Sequence, residues 1–286
     1  MQILARQSAL LSALAAGLVF TAAGCSVSSG KRGITWIRNL SEATAKASRG
    51  KKLIIADMYT DWCGWCKVMD TKTWADPLVV QERDKYVFLK LNAETAPDGI
   101  ALQKKLNIIS YPTILLLNSD GSEFERLEGY LPAQQFLARL NGTIADPEAL
   151  GNLLARESRD ARDMALHFKV GRKLFTRGAY NEARPRFELI VRNDPENKAQ
   201  VSDTALFFLA LCQATLDETD ASLATIHRLR KTYPSSKIVP EAQLLSSEIL
   251  MRTGRRDRAK AQIQDFLKSY PDHRLASRAK QLLAKL

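Results

Sequence analysis

The strongest constraint on this chain is a pair of cysteines placed directly after an apolar segment. Residues 53–59 are apolar apart from one aspartate, which predicts a short buried strand that ends at Thr60-Asp61. The next residues, Trp62-Cys63-Gly64-Trp65-Cys66-Lys67, lead into a helix-compatible segment. At the first turn of that helix, free N–H groups and the helix dipole favour a thiolate on Cys63. Cys66 follows within the same turn, close enough to form a disulfide with Cys63 and to displace a bound partner.

Half of a zinc site is the alternative interpretation of such a cysteine pair. Zinc would need two more ligands, but the other two cysteines and all three histidines lie far from the pair in sequence. The residues therefore favour a redox pair over zinc. We expect no metal here, and no cofactor other than a redox-active disulfide between Cys63 and Cys66.

Residues 36–142 resemble the thioredoxin superfamily. The segment 56–67 is similar to the active-site motif of that superfamily. Its continuation, Thr73-Trp74-Ala75-Asp76-Pro77, is similar to the periplasmic thioredoxin-like domain of the transmembrane thiol–disulfide interchange reductases. The resemblance implies an α/β thioredoxin fold and a protein-disulfide oxidoreductase in which Cys63 is the nucleophile and Cys66 the resolving thiol. It favours reduction and leaves oxidation and isomerisation open.

Further motifs support this resemblance because they follow in the order and spacing of the family. Residues 86–92 match the central strand, and Ser110-Tyr111-Pro112-Thr113 matches the loop that carries a cis-proline. Residues 114–129 match the closing hairpin, and residues 132–140 match the last helix.

Two charged residues near the cysteines are candidates for catalysis. Asp57 lies six residues before Cys63 on the predicted strand, so we expect a buried carboxylate near the sulfurs. Burial raises the pKa of a carboxyl group, which suits Asp57 to accept a proton from Cys66. Lys90, on the neighbouring strand, is predicted to pair with Asp57. The alternatives are a strand-end aspartate that faces water and a surface lysine.

Four residues are candidates for substrate binding. Pro112, if its peptide bond is cis, would expose the backbone of Tyr111 for strand-like pairing with a substrate peptide, and a trans turn proline is the alternative. Trp62 matches a family position, whereas Trp65 replaces the commonest family proline. Substrate binding and packing on its own loop are equally open for Trp65. The Gly64-Trp65 dipeptide leaves the redox potential undetermined.

The N-terminus has the pattern of an export signal. Residues 1–24 combine Arg6 with an uncharged, largely apolar run that is shorter than the ~20 residues needed to cross a bilayer. The segment Thr21-Ala22-Ala23-Gly24-Cys25 resembles a bacterial lipobox, although Ala22 stands where the family usually has leucine. The resemblance implies that Cys25 is the lipidated first residue of the mature chain. Cleavage by an ordinary signal peptidase is the alternative.

The residues after Cys25 bear on where the protein is located. Residues 25–35 are expected to form a tether. Ser26, in place of an aspartate, implies sorting to the outer membrane. We therefore expect a lipid-anchored protein of the periplasm, attached to the outer membrane.

Positive charge is concentrated in the second half of the chain. The 286 residues carry 42 Lys+Arg and 31 Asp+Glu, a net charge of +11. Residues 1–150 hold 17 basic and 15 acidic side chains, and residues 151–286 hold 25 and 16. Export excludes nucleic acid as a partner of the basic half. An acidic protein or an anionic envelope surface is the expected partner instead.

The second half also contains an internal repeat of helical segments, predicted for residues 161–286. Equivalent turns carry Gly178 and Gly254, and the middle unit has Thr219-Asp220-Ala221 where a glycine is expected. The pattern resembles tetratricopeptide-like repeats, whose stacked helix pairs form a concave surface for protein partners. A generic helical bundle is the alternative. Each unit has an apolar residue eight positions before a proline, in the pairs Phe187 and Pro195, Ile226 and Pro234, and Ile263 and Pro271.

Three further features belong to this half. Residues 143–160 are predicted to be a linker, with Asp146-Pro147 at the start of the following helix. Cys212 is predicted to be a buried structural thiol, with a third redox cysteine as the alternative. Eight basic residues are a candidate binding face, or else a solvated helix surface: Arg156, Arg159, Arg162, Lys169, Arg172, Lys173, Arg184 and Arg186.

Two functional hypotheses follow from these motifs. The first is an exported, membrane-tethered thiol–disulfide oxidoreductase whose repeats dock partners, which are exported proteins with thiols or disulfides. Such an enzyme would need a separate upstream electron donor. The second is a non-enzymatic envelope assembly scaffold that uses both domains as binding modules. The intact cysteine pair, together with Asp57, Lys90 and Pro112, favours the enzyme.

Overall fold

The structure, a computed structural model, describes residues 33–286. The predicted signal peptide at 1–24 and the predicted lipidation site Cys25 lie outside the described residues, as does most of the predicted tether. Within residues 33–286, no helix is both long enough and apolar enough to cross a membrane.

One four-stranded mixed sheet forms the centre of the N-terminal half. The strands lie in the order β2-β1-β3-β4, with β1 parallel to β2 and antiparallel to β3. The two middle strands, β1 and β3, are almost entirely buried because helices cover both faces of the sheet. The strand predicted before the cysteines is confirmed as β1. The strands are β1 (Ile54–Tyr59), β2 (Val87–Asn92), β3 (Thr113–Leu117) and β4 (Glu123–Glu128).

Alternate side chains of β1 enter two separate cores, as the period of a strand requires. Ile54 and Met58 pack in the core that α1 and α4 cover, whereas Ile55 packs in the core that α2, α3 and α5 cover. Asp57 shares the face of Ile55 and therefore points toward the helix that carries the cysteines. The helices are α1 (Leu40–Gly50), α2 (Gly64–Lys72), α3 (Pro77–Gln81), α4 (Pro97–Lys105) and α5 (Ala133–Ala145).

The predicted linker at 143–160 is wrong in its central part, which is a packed helix, α6 (Leu150–Glu157). Leu150 and Leu153 are buried in the core of the helical half because their spacing places both on one helix face. Gly151 lies so close to β4 that a Cβ atom there would meet the ring of Phe124 at 2.2 Å. Residues 33–286 consequently pack as one unit. The Asp146-Pro147 pair forms a turn before α6 rather than its first turn.

The predicted helical repeats are confirmed as three antiparallel helix pairs and a final helix. The apolar residues that precede the prolines by eight positions are all buried. Each second helix ends two residues before its proline, because the residue before a proline avoids the helical conformation. The pairs are α7 (Met164–Thr176) with α8 (Tyr180–Asn193), α9 (Ser202–Thr215) with α10 (Thr219–Thr232), and α11 (Val239–Arg252) with α12 (Arg256–Ser269), followed by α13 (Ala276–Leu283).

The turn inside each pair holds one residue in the left-handed conformation. Gly178 has φ 73° and Gly254 has φ 74°, and Asp217 has φ 61° in the middle pair. The repeat pattern predicts the glycine position of the middle unit at 219–221, whereas the structure has Asp217 at the equivalent turn position. Aspartate is tolerated there because its short polar side chain suits the left-handed region better than most residues.

Most of the basic residues proposed as a binding face are paired within the chain. Lys169 and Arg156 contact Glu148, and Arg184 contacts Glu218. Arg186 and Lys173 pair with Glu157 and Glu125, and Arg172 lies over the rings of Phe168 and Phe208. These contacts engage the basic side chains within the chain, and they weaken the proposal of a basic face free for partners.

Candidate active site

Cys63 and Cys66 form a disulfide at the start of α2, with their Cα atoms 5.3 Å apart. Cys63 is the N-cap of the helix, and its Sγ accepts a hydrogen bond from the backbone N–H of Cys66 at 3.1 Å. The free N–H groups and the dipole at this end of α2 stabilise negative charge on the sulfur of the reduced form. Both cysteines are nearly closed to solvent, with exposures of 4% and 2%, so a partner has to approach through the residues around them.

A buried carboxylate and a buried lysine lie on the face of the sheet that α2, the helix of the cysteines, covers. Asp57 on β1 and Lys90 on β2 are direct register neighbours, and Lys90 Nζ lies 3.0 Å from Asp57 Oδ2. Trp74 Nε1 donates a hydrogen bond to the same oxygen at 3.1 Å. The predicted pairing of Asp57 with Lys90 is confirmed, and the solvent-facing alternatives are wrong for both residues. The role of Asp57 as a proton acceptor stays a prediction.

Burial dominates the ionisation of this carboxylate. Desolvation raises the pKa of Asp57 above its usual range, while the charge of Lys90 opposes that shift. Lys90 is shared, because its ammonium group also pairs with Asp70 on α2. Asp57 Oδ1 is buried and has no hydrogen-bond partner among the described residues. This free oxygen and the raised pKa suit Asp57 to take up a proton.

The loop between α4 and β3 brings two predicted substrate-binding residues beside the cysteine motif. The peptide bond between Tyr111 and Pro112 is cis, as the resemblance implies. The Tyr111 ring stands edge-on to Trp62, with ring centroids 6.1 Å apart. Pro112 is tied to the end of β4, because its carbonyl accepts a hydrogen bond from Gly129 at 2.9 Å.

Both predicted tryptophans are exposed at this surface. Trp62 is 68% exposed and donates from Nε1 to Glu94 at 2.9 Å. Trp65 is 60% exposed and stacks on Tyr130, with ring centroids 5.3 Å apart. Trp65 thus packs on a residue that follows β4, rather than on its own loop, and keeps one face open.

Sequence reasoning missed several residues of this surface and of the buried cluster. Asp70, Glu94 and Tyr130 carry no local motif, and only the fold brings them to the site. Ile109 is 83% exposed, and this exposure of a large apolar residue just before Tyr111 was detectable only from the structure. No cluster of metal-ligating residues is found within residues 33–286.

The comparisons with known proteins agree with this geometry. The profile of the thioredoxin-like domain family matches residues 40–143, and that of a tetratricopeptide repeat matches residues 241–273. Residues 40–143 are a thioredoxin-like domain. This domain carries the cysteine pair of thiol–disulfide oxidoreductases, followed in the chain by tetratricopeptide-like repeats.

Curated relatives and solved structures match the same domain. The thiol:disulfide interchange protein DsbD of Haemophilus ducreyi is 37% identical over 110 residues, which are 37% of this chain and 19% of that protein. DsbD of Escherichia coli K12 is 36% identical over 111 residues, with the same coverage of both chains. The chain therefore spans about a fifth of the length of these relatives. The solution structure of a putative disulphide-isomerase from Bacteroides thetaiotaomicron is 32% identical and covers 40% of this chain and 95% of its own, with a TM-score of 0.37.

Proposed function

We propose that the protein is an exported thiol–disulfide oxidoreductase that reduces disulfides in other exported proteins. The observation that carries the proposal is the Cys63–Cys66 pair at the N-terminus of α2, backed by the buried Asp57 and Lys90 pair. The similarity to thiol:disulfide interchange proteins supports the same reaction class. The cysteine pair itself carries the electrons, and the reaction requires no other cofactor.

The reaction begins with the reduced cysteine pair. The thiolate of Cys63 attacks a client disulfide, and a mixed disulfide forms as one client sulfur leaves as a thiolate that takes a proton from water. The thiol of Cys66 passes its proton to Asp57, and the resulting Cys66 thiolate attacks Cys63 Sγ. The second client sulfur leaves as a thiolate and takes up the proton that Asp57 held. The client gains two electrons and two protons, and the protein is left with the Cys63–Cys66 disulfide. A separate electron donor returns two electrons and two protons to the pair.

The surface around the disulfide supplies substrate contacts in this proposal. Trp62, Trp65 and Tyr111 present aromatic faces beside two nearly buried sulfurs. A peptide that reaches Cys63 has to lie against these rings, and the loop at Pro112 offers backbone for strand-like pairing. The helical repeats provide a separate docking surface for protein partners.

The proposed location rests on the N-terminal motif alone. Cleavage before Cys25 and lipidation of its thiol would tether the protein to the outer membrane, with both domains in the periplasm. Palmitate labelling of cells should be lost in a Cys25→Ala variant. Label that persists in this variant would refute the lipid anchor and leave the redox proposal intact.

A trapping experiment tests the reaction. The Cys66→Ser variant should accumulate mixed disulfides through Cys63, visible as adducts that a reductant dissolves. The matched control is the Cys63→Ser/Cys66→Ser double variant, which should form none. A Cys66→Ser variant with no adducts in cells would overturn the enzyme and favour a binding scaffold.

The in vivo redox state of the pair tests the direction of electron flow. Thiol labelling of the wild-type protein in cells should find Cys63 and Cys66 mostly reduced, because a reductase has to be kept charged with electrons. A mostly oxidised pair would contradict reduction and support oxidation of clients.

A further inference from the structure

The loop that carries Tyr111 and Pro112 begins at a contact with the helical repeats. Asn107, its first polar residue, donates from Nδ2 to the carbonyl of Arg177 at 3.2 Å. The next residue, Gly178, lies against the same amide, and a Cβ atom there would come within 2.1 Å of Asn107 Nδ2. Any side chain at 178 therefore has to displace the amide of Asn107. The turn between α7 and α8 is thus in direct contact with the substrate loop of the thioredoxin-like domain.

The turn on the helical side is held in place by buried ion pairs. Arg177 lies at the end of α7, and its Nη1 is 3.0 Å from Glu123 Oε1 on β4. Its other guanidinium nitrogen pairs with Glu125, which also binds Lys173 at 2.6 Å. Both glutamates and Arg177 are nine-tenths buried or close to it, so solvent screens these pairs weakly. The position of the Arg177 carbonyl is consequently fixed relative to the sheet.

The same charge cluster also holds the backbone just before the loop. Arg126 on β4 forms a two-point contact with Glu123 and donates from Nη2 to the carbonyl of Leu106 at 2.9 Å. Leu106 directly precedes Asn107. Two consecutive residues at the start of the loop are therefore bound, one by the sheet and one by the repeats.

The remainder of the loop before Tyr111 is short and contains one buried and one exposed isoleucine. Ile108 is buried and exchanges hydrogen bonds with Gln103 at 3.0 Å in both directions. Ile109 is exposed, and Tyr111 already contacts Trp62 beside the disulfide. Only three residues separate the bound Asn107 from Tyr111. We therefore expect a displacement at 107 to reach the substrate face.

We infer that the α7–α8 turn of the repeats positions the loop at 107–112, so that the helical domain sets how the redox site binds a polypeptide client. Asn107 and Gly178 are positioning residues in this scheme and take no part in thiol chemistry. The inference rests on the proposed oxidoreductase function. Small thiols react at Cys63 without lying along the loop, so the contact should affect only polypeptide substrates.

The test compares two alanine substitutions at equivalent turns in the full-length protein. Gly178→Ala and Gly254→Ala impose the same left-handed strain, since φ is 73° at one position and 74° at the other. Only Gly178 meets Asn107, whereas a Cβ at Gly254 has nothing within 4 Å. Gly254→Ala is therefore the matched control for backbone strain in a repeat turn.

The measurement uses insulin as the polypeptide disulfide and dithiothreitol as the electron donor. Gly178→Ala should raise KM for insulin about twofold to tenfold at unchanged kcat, because it removes one hydrogen bond. Gly254→Ala should match the wild type. Reduction of the Cys63–Cys66 disulfide by dithiothreitol alone should proceed at the same rate in all three proteins.

Asn107→Gly supplies a second route to the same contact. Glycine keeps the left-handed φ of 50° at this position and removes the amide that the Cβ at 178 would meet. Asn107→Gly should raise KM for insulin as Gly178→Ala does, and the double variant should match Asn107→Gly rather than show the product of the two effects. Because Asn107→Gly introduces no clash, it tests the contact even if Gly178→Ala fails to fold.

Three results would overturn the inference: equal KM values for Gly178→Ala and Gly254→Ala, multiplicative effects in the double variant, or an equal slowing of the dithiothreitol reaction. A wild-type protein that does not reduce insulin at all would instead refute the proposed function. The two failures are therefore distinguishable.

Discussion

Two clusters of charged side chains contact the same sheet, and they are built in opposite ways. On the face of the sheet that α2 covers, one lysine pairs with two carboxylates, Asp57 and Asp70. At the junction with the repeats, two carboxylates, Glu123 and Glu125, share three cations. In the first cluster a buried carboxylate oxygen, Asp57 Oδ1, has no hydrogen-bond partner within residues 33–286. In the second, each glutamate has two cationic partners, and the buried atom without a hydrogen bond in this part of the chain is a donor, Arg177 Nη1. The first cluster has fewer cations than carboxylates, which suits a carboxylate that takes up a proton. The second cluster has more cations than carboxylates, which suits side chains held in fixed positions.

The largest expected effect comes from breaking the cluster around Glu123 and Glu125 at the junction with the repeats, which we call the junction cluster. Arg177→Ala leaves Glu123 and Glu125 buried with fewer cations and removes the charge that both share. We expect a loss of about 3–5 kcal/mol in the free energy of unfolding, the usual cost of removing one partner from a buried ion pair. Urea unfolding of the full chain measures this loss, with Arg159→Ala on the exposed loop after α6 as control. A loss below about 1 kcal/mol would mean that the cluster does not hold the two domains together.

Asp57→Asn tests the cluster of Asp57, Lys90 and Asp70, which we call the redox cluster. It does so through the resolving step, in which Cys66 attacks the mixed disulfide. The variant keeps the shape of the side chain but cannot accept a proton from Cys66. Release of client from the mixed disulfide should slow by about tenfold to a hundredfold at neutral pH. Stopped-flow measurement of client release checks this, and an unchanged rate would assign the proton to another group.

The same variant should change how stability depends on pH. Burial raises the pKa of Asp57 above its ordinary value near 3.8, so the folded protein binds this proton more tightly than the unfolded chain. The associated stability is present in full below that ordinary value and is lost as pH rises through the raised pKa of the folded state. Asp57→Asn should abolish this decline. Unfolding curves of both proteins from pH 4 to pH 8 test the sign, and parallel curves would contradict it.

Trp65→Ala probes the aromatic surface around the disulfide. We expect KM for a polypeptide disulfide to rise about fivefold, which corresponds to about 1 kcal/mol of aromatic contact. Leu78→Ala on α3 removes another exposed apolar side chain and serves as control. Equal effects of the two substitutions would place substrate contacts elsewhere.

The smallest effect is expected at Cys212. This thiol is fully buried on α9, and burial raises its pKa to about 12, as expected of a structural cysteine. Cys212→Ala should leave disulfide reduction unchanged and cost about 1 kcal/mol of stability. In the wild type, iodoacetamide should label Cys212 only after unfolding. Labelling of the folded protein would revive a redox role for it.

The sequence predicted the redox cluster better than the junction cluster, and the reason is physical. Asp57 and Lys90 lie on buried strands whose apolar patterns are local, so their burial could be inferred. Glu123 and Glu125 lie on the edge strand β4, whose mixed polar and apolar residues are typical of a half-exposed strand, and α6 and α7 cover it. Because that cover comes from residues distant in sequence, no local pattern could indicate that these charges are buried.

In the helical half, too, the features that follow from a local sequence pattern were the ones predicted. Its repeat was readable because the spacing of apolar residues and prolines reflects helix geometry directly. Asp217 was missed because the prediction required a glycine, whereas the left-handed turn position is defined by its distance from the core residue Ile226. The short helix α6 was missed because the Gly, Asp and Pro residues around it suggested a break in structure.

The packing of α6 determines where the chain can be cut into separate domains. A cut after residue 142 would remove the backbone that packs on Phe124 and two of the three cations that face Glu123 and Glu125, namely Lys173 and Arg177. The thioredoxin-like fragment would then expose an apolar ring and two acidic groups that α6 and α7 cover in the full chain. Residues of both domains therefore form the interface between them, and neither domain can be moved into another protein unchanged.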